Sequence, residues 1–150
     1  MADHADATTP GGDHVFPVRV YYEDTDAAGM VYYANYLKFA ERARTELLRD
    51  VGHSHRRLRD EHGVVFVVRR CLAEFIRPAR LDDRLEVHSR ITGMRGAAFD
   101  AEQQILREEV LMVHVDVVLA CVSTGGRPVR VPRAVRAALQ QFTDDSEQSA

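Results

Sequence analysis

The segment Glu23-Asp24-Thr25-Asp26-Ala27-Ala28-Gly29 places three carboxylates within four residues, and no Lys or Arg follows until Lys38. It lies between a strand-like run, Val18-Arg19-Val20-Tyr21-Tyr22, and a long amphipathic helix opening near Tyr32. The first N–H groups of a helix lack intrahelical partners, and the helix dipole favours negative charge beside them. Such donors polarise a carbonyl oxygen and stabilise the oxyanion that forms when the carbonyl is attacked. A carboxylate and preorganised donors facing one gap are the parts needed for attack on an acyl group. On spacing alone, Asp24 and Asp26 serve equally well as turn and N-cap residues, where Asp is enriched.

The elements that must hold this loop follow from periodicity. Val15 to Tyr22 is rich in β-branched and aromatic residues and reads as a strand. From Tyr32 to Val51, Tyr36, Phe39, Ala40, Ala43, Leu47 and Val51 recur at helical spacing, with Gly52 as the stop. Arg44 interrupts that apolar stripe. Four long strands follow: Val64 to Arg77, Leu85 to Met94, Ala97 to Arg107 and Val110 to Val122. Arg80-Leu81-Asp82-Asp83, Arg95-Gly96, Glu108-Glu109 and Thr124-Gly125-Gly126 supply the turns. Pro132 to Phe142 reads as a closing helix with Pro in its first turn. Links this short imply antiparallel neighbours, because a parallel pair needs a longer crossover. The expectation is an α+β domain in which an antiparallel sheet wraps one long central helix. The run Val115 to Val122 is apolar on both faces, which suggests cover on both sides or a second subunit.

Composition narrows the function. The chain has 150 residues and a formal charge of −3, enough for one domain with a real core and too acidic for general nucleic-acid binding. Lys38 is the only lysine, so nearly every cation is a guanidinium, a good phosphate fork. Cys71 and Cys121 form no CxxC and read as buried thiols of a reducing, cytoplasmic environment. Met1 to His14 is polar and reads as a flexible leader, residues 15–142 as the domain, and Thr143 to Ala150 as a flexible tail. No apolar run approaches the roughly 18 residues of a membrane span.

Longer blocks of sequence carry a resemblance. Phe16-Pro17-Val18-Arg19-Val20-Tyr21-Tyr22-Glu23-Asp24-Thr25-Asp26, Gly29-Met30-Val31-Tyr32-Tyr33-Ala34-Asn35-Tyr36 and Glu41-Arg42-Ala43-Arg44-Thr45-Glu46 closely resemble the YbgC-like, Tol–Pal-associated acyl-CoA thioesterases. The likeness continues through Phe66-Val67-Val68-Arg69-Arg70, Pro78-Ala79-Arg80-Leu81-Asp82-Asp83 and Ile91-Thr92-Gly93-Met94-Arg95-Gly96. It implies the hotdog fold of the 4-hydroxybenzoyl-CoA thioesterase class, with two subunits sharing a continuous sheet. It also implies metal-free and cofactor-free hydrolysis of acyl-CoA, with Asp26 as catalytic carboxylate and the Tyr33 backbone N–H on the thioester oxygen. Many YbgC-like proteins carry His where this chain has Tyr33, so any role of a His side chain there is lost. A backbone donor survives the change.

The chemistry is consistent with that likeness. A thioester is an activated acyl group, so Asp26 could attack it directly or deprotonate a water. Gly29 permits a tight turn and a close approach of backbone to substrate. Arg95 is the first choice for the CoA phosphates, with Arg69, Arg70 and Arg130 behind it.

Rival readings of the same residues fare worse. A calcium loop beginning at Asp24 lacks a ligand at Ala28 and ends on Asn35 instead of Glu. A haloacid-dehalogenase reading of Asp24-x-Asp26 needs a parallel sheet. His53, His55 and His62 lie in a polar connection and read as surface histidines, leaving no metal set. Two alternatives remain: a non-catalytic acyl-thioester-binding or scaffold protein tied to envelope or lipid metabolism, and a hotdog hydratase or dehydratase. The second normally uses a His near the helix start, and Met30 to Tyr36 contains none. The expected partners are the acyl-CoA substrate and a second copy, as homodimer or homotetramer, with acyl carrier protein or lipid-synthesis enzymes as further candidates.

Overall fold

The computed structural model describes residues 12–143. In chain order the elements are β1 (His14–Arg19), a 3-10 turn (Tyr22–Asp24), α1 (Tyr33–Asp50), α2 (His55–Arg57) leading into a π-type turn (Leu58–His62), β2 (Val64–Phe75), β3 (Arg84–Met94), β4 (Ala98–Arg107), β5 (Val110–Ser123) and α3 (Arg133–Leu139). One antiparallel sheet runs in the order β1-β3-β4-β5-β2. The α+β expectation holds, and β2 to β5 start and stop within two residues of the sequence reading, whereas β1 ends three residues early, at Arg19, because Tyr22–Asp24 form the 3-10 turn.

The sheet's inner face follows the two-residue period. Leu85, Val87 and Ile91 of β3, Phe99, Ala101 and Ile105 of β4, and Val113, Val115, Val117 and Leu119 of β5 are all buried. Against them α1 lays Tyr36, Phe39, Ala40, Ala43, Leu47 and Leu48. Gly52 ends this helix in a left-handed conformation, φ 86°, as its position after the stripe predicts. Arg44, the interruption in the stripe, meets a matching interruption in the sheet. Its Nη1 donates to Gln103 Oε1 at 2.9 Å, and Gln103 Nε2 donates to the Ala40 carbonyl and to Ser89 Oγ.

Four expectations need correction. Although the β2–β3 link is short, β2 is not beside β3; it pairs with β5 at the far edge. The link instead crosses the N-terminal end of α1, held there by the Ala79 N–H on the Tyr36 hydroxyl (2.8 Å) and by Val31 N–H on the Ala79 carbonyl (2.9 Å). Cys71 is exposed because it lies on that open edge strand, whereas Cys121 is buried in β5. The closing helix is shorter than expected. Pro132 caps it from outside and a 3-10 turn takes over at Gln140–Phe142.

The fourth correction concerns the domain's ends. His14, read as the end of a leader, is a buried residue of β1. Its Nε2 lies 2.8 Å from Asp50 Oδ2, and its ring packs edge-on to Phe142. Thr143, read as the start of a tail, bridges Ile91. The rest of the proposed leader and tail, 1–11 and 144–150, lies outside the described residues. No helix among the described residues is long and apolar enough to cross a membrane.

Candidate active site

Asp24 and Asp26, two residues apart, have opposite surroundings. Asp24 is 8% exposed. Its Oδ2 accepts the Tyr21 N–H at 2.8 Å, and its carbonyl accepts the Tyr32 N–H and Asn35 Nδ2. It fastens the 3-10 turn to the start of α1 and is buried away from the face that Asp26 presents. Asp26 is exposed on the next bend. Its Oδ1 accepts the N–H groups of Ala28 (2.9 Å) and Met30 (3.2 Å), while Oδ2 accepts from no described residue. One oxygen is clamped and the other is presented.

Gly29 makes that bend possible. Its φ is 80°, a value that L side chains rarely adopt, and its N–H closes the turn on the Asp26 carbonyl at 3.0 Å. No protein atom lies within 4 Å of where a Cβ would sit, so among the described residues the requirement is the backbone angle and not protein crowding.

The helix that follows begins with unsatisfied donors. Tyr33 is its first residue, and the N–H groups of Tyr33 and Ala34 make no hydrogen bond to any described residue. The Tyr33 N–H was singled out from the sequence; the Ala34 N–H was not, because an alanine side chain gives no sign that its backbone is unpaired. Beside them lies a cavity of about 400 Å³ whose walls include Asp26, Tyr33, Tyr36, Phe75 and Arg77. The Tyr33 and Tyr36 rings each sit 5.8 Å from Phe75. Burial pushes the Tyr36 phenol up, and the carboxylates of Asp83 and Asp26 add to the effect, so this hydroxyl stays protonated. Arg77 is the cation that sequence reasoning missed. Its signal is modest: a guanidinium at the exit of an apolar strand, just before Pro78.

The arginines chosen from the sequence are elsewhere in the chain's own fold. Site residues reach β3 at its start, through Val20 N–H on the Asp83 carbonyl and the Met30–Arg80 bridge. Arg95 follows the other end of that eleven-residue strand, about 33 Å away at roughly 3.3 Å per residue. There Arg95 forks onto Asp100 with contacts of 2.6 and 3.0 Å. Arg130 borders the same turn at Gly96, and Arg136 Nη2 donates to the Arg95 and Gly96 carbonyls. Arg69 and Arg70 are exposed on β2, with Arg69 in the bulge between Val68 and Arg70. None of the four lines the Asp26 cavity.

The histidines do not converge. His55 Nε2 lies 3.1 Å from Thr45 Oγ1, and the His53 and His62 rings are 6.3 Å apart. Glu102, His114 and Asp116 bring possible ligand atoms within 4.8 Å of one another on the outer face of the sheet. Glu102 is already held by Arg90 Nε (2.7 Å) and His114 Nε2 (3.1 Å). Burial alone would raise its pKa, but those hydrogen bonds outweigh it and hold the carboxyl below the usual range.

The profile of the Thioesterase-like superfamily matches residues 20–139, most of the chain and the whole site. The chain belongs to that superfamily. Among thioesterase relatives, the Acyl-CoA thioesterase YbgC of Haemophilus influenzae is 44% identical over 128 residues, covering 85% of this chain and 94% of that protein. Among solved thioesterase structures, a probable thioesterase from Bartonella henselae superposes with a TM-score of 0.76 at 42% identity, covering 80% of this chain and 99% of that one. A 4-hydroxybenzoyl CoA thioesterase mutant complexed with 4-hydroxybenzoyl CoA shares the fold at a TM-score of 0.80 and 23% identity, covering 85% and 98%. The hotdog fold expected from the resemblance is therefore the fold of this thioesterase-like chain.

Proposed function

We propose that this chain hydrolyses acyl-CoA thioesters to a carboxylic acid and free CoA, with Asp26 as the reacting carboxylate. One observation carries the reading: a carboxylate with one oxygen clamped and one free shares a cavity with Tyr33, whose N–H opens the helix unpaired. The substrate class follows that of relatives named acyl-CoA thioesterases.

The thioester oxygen sits on the Tyr33 and Ala34 N–H groups, where a good donor is worth about 3 kcal/mol as negative charge develops. Two routes use the same Asp26 oxygen. As nucleophile, Oδ2 bonds to the acyl carbon, the C–S bond breaks, CoA leaves as thiolate, and water then cleaves the mixed anhydride. As base, Oδ2 takes a proton from water while its oxygen bonds to the acyl carbon, and the thiolate again leaves. Label found in Asp26 after a single turnover in ¹⁸O-water identifies the first route, with water attacking the Asp26 carboxyl carbon of the anhydride, because the base route leaves none there.

In this reading a second copy completes the site, which the distance between Asp26 and Arg95 within one subunit supports. β2 is an open edge carrying exposed Val67, Val68, Leu72 and Phe75. Antiparallel pairing of two such edges turns one sheet by half a rotation relative to the other. The Arg95 turn of one subunit then lies at the Asp26 end of its partner, with Arg130 and Arg136 beside it to receive CoA phosphates. Tetramers and acyl carrier protein as donor are compatible with this arrangement.

Asp26→Asn tests the assignment. Hydrolysis of a panel of short, long and aromatic acyl-CoA esters should fall at least about a hundredfold with the melting temperature nearly unchanged. A folded Asp26→Asn protein with full activity would remove Asp26 from the mechanism. No turnover of any ester by the wild type would favour the binding or scaffold reading. The hydratase reading has no histidine in the Asp26 cavity to support it.

A further inference from the structure

The outer face of the sheet carries charged groups that the Asp26 cavity does not use. Glu74 of β2 stands directly opposite His114 of β5, and Glu102 of β4 stands opposite Asp116, two residues further along β5. The two-residue period puts all four side chains on one face. Arg90 Nε and His114 Nε2 both reach Glu102, at 2.7 and 3.1 Å. Burial disfavours the charge on Glu102, yet these two bonds outweigh it and keep the carboxylate ionised. An ionised carboxylate only accepts, so the proton of a neutral His114 is on Nε2 and the lone pair is on Nδ1. That lone pair faces two more carboxylates, Glu74 Oε1 at 3.8 Å and Asp116 Oδ2 at 3.7 Å. Both distances are too long for a hydrogen bond, and no described residue donates to Nδ1. Three acceptors face one another with no donor between them.

We infer that His114 Nδ1, Glu74 and Asp116 form a binding site for a divalent cation of the zinc class. A proton on Nδ1 would answer the imidazole and leave both carboxylates beyond hydrogen-bond reach, whereas a divalent cation answers all three groups. Zinc bonds of about 2.0–2.2 Å at tetrahedral angles set neighbouring ligand atoms about 3.4 Å apart, so each carboxylate need close on Nδ1 by only a few tenths of an ångström. The Glu74 and Asp116 side chains are 68% and 52% exposed, which leaves room for that adjustment. Behind them, Glu102 holds the other ring N–H of His114 and Arg90 holds Glu102, the support that a metal-bound imidazole ordinarily has. The imidazole nitrogen selects zinc-class ions over Mg²⁺ and Ca²⁺, which take oxygen ligands. Pairing of the β2 edge with a second copy engages the β2 backbone and leaves Glu74 on the outer face. Phe75, the next residue of β2, points to the inner face and lines the Asp26 cavity, so the ion fastens the strand that carries that wall to β5. The site uses no residue of that cavity and stands apart from the role of Asp26.

Zn²⁺ is the probe, titrated into the full chain after treatment with a chelator and followed by calorimetry and by the ring signals of ¹⁵N-labelled histidine. Saturable binding at His114 is expected, with its Nδ1 signal shifting while Nε2 keeps its proton. His114→Gln should remove one equivalent of bound Zn²⁺ per chain. Glu102→Gln, at a position that does not touch the ion, should weaken binding about ten- to hundredfold by loosening the imidazole. A large excess of Mg²⁺ should leave Zn²⁺ in place. The ring signals of the wild type need no variant, so the test stands if a substituted chain does not fold. Zn²⁺ binding unchanged by His114→Gln would put the ion elsewhere, for example at His53 and His62, and overturn the inference. Ready displacement by Mg²⁺ would mark a mere patch of negative charge and overturn it as well. So would a shift at Nε2 in place of Nδ1, or the absence of saturable binding.

Discussion

The N-terminal turn of α1 divides its residues by what their backbone must do. Tyr32 sits in an extended conformation (φ −65°, ψ 131°), which is also the conformation that a following proline demands. Tyr33 is the first helical residue, where proline is well accommodated. Tyr33→Pro should therefore fold and lose one oxyanion donor, lowering kcat by about a hundredfold, the worth of about 3 kcal/mol. Tyr33→Phe keeps the N–H and should keep most activity. Steady-state kinetics on one acyl-CoA ester decides it: a near-normal rate in the folded Pro variant would clear Tyr33 of the role. An inactive Phe variant would move the role to the phenol. How far this site was readable from sequence depends on the residue. Asp26 stands in a block that resembles a known family at many positions, so its carboxylate could be singled out from Asp24. Arg77 stands just outside such a block, which begins at Pro78, and the Ala34 side chain gives no sign that its N–H is unpaired.

At the scale of elements, the crossing of α1 by the β2–β3 link positions the site. The link returns the chain from the far edge of the sheet to β3, and in passing it lays Pro78 and Arg77 against the Asp26 cavity. Its attachment is the Tyr36 hydroxyl, which accepts the buried Ala79 N–H. Tyr36→Phe fills almost the same volume but leaves that N–H without its acceptor. An unsatisfied buried donor costs about 1–3 kcal/mol, so the unfolding free energy should fall by that much, read as a lower urea midpoint with the slope unchanged. KM should rise as the cavity wall loosens. An unchanged midpoint would mean that water replaces the phenol and that the link is held otherwise. The strand order was the part of the fold that short links could not convey. They fix direction, and β2 and β3 do run in opposite directions, but a sheet curled around a helix lets a short link join strands that are not neighbours. Strand limits and the buried face of α1 were legible because periodicity reports burial directly.

At the scale of the whole molecule, the proposed catalytic and phosphate-binding parts lie at opposite ends of one subunit, and in that proposal an assembly brings them together. Arg95→Ala alone should raise KM for acyl-CoA about ten- to hundredfold and leave kcat nearly intact, because a remote phosphate contact is the same in ground and transition states. Asp26→Asn alone should be inactive. Mixed after unfolding and refolding together, the two inactive or weakened chains should complement each other. In a hybrid dimer, the Asp26 of the Arg95→Ala chain faces the intact Arg95 turn of the Asp26→Asn chain, which makes one complete site. Random pairing gives hybrids in half of the dimers, so at low substrate about a quarter of wild-type activity should return. Activity no greater than the average of the separate variants would mean that each subunit binds its own CoA, or that Arg95 serves the fold through Asp100. A truncated thioester without the nucleotide distinguishes these two outcomes. If Arg95 reads phosphate within its own subunit, the truncated substrate is handled alike by wild type and Arg95→Ala. If Arg95 serves the fold, both substrates suffer equally.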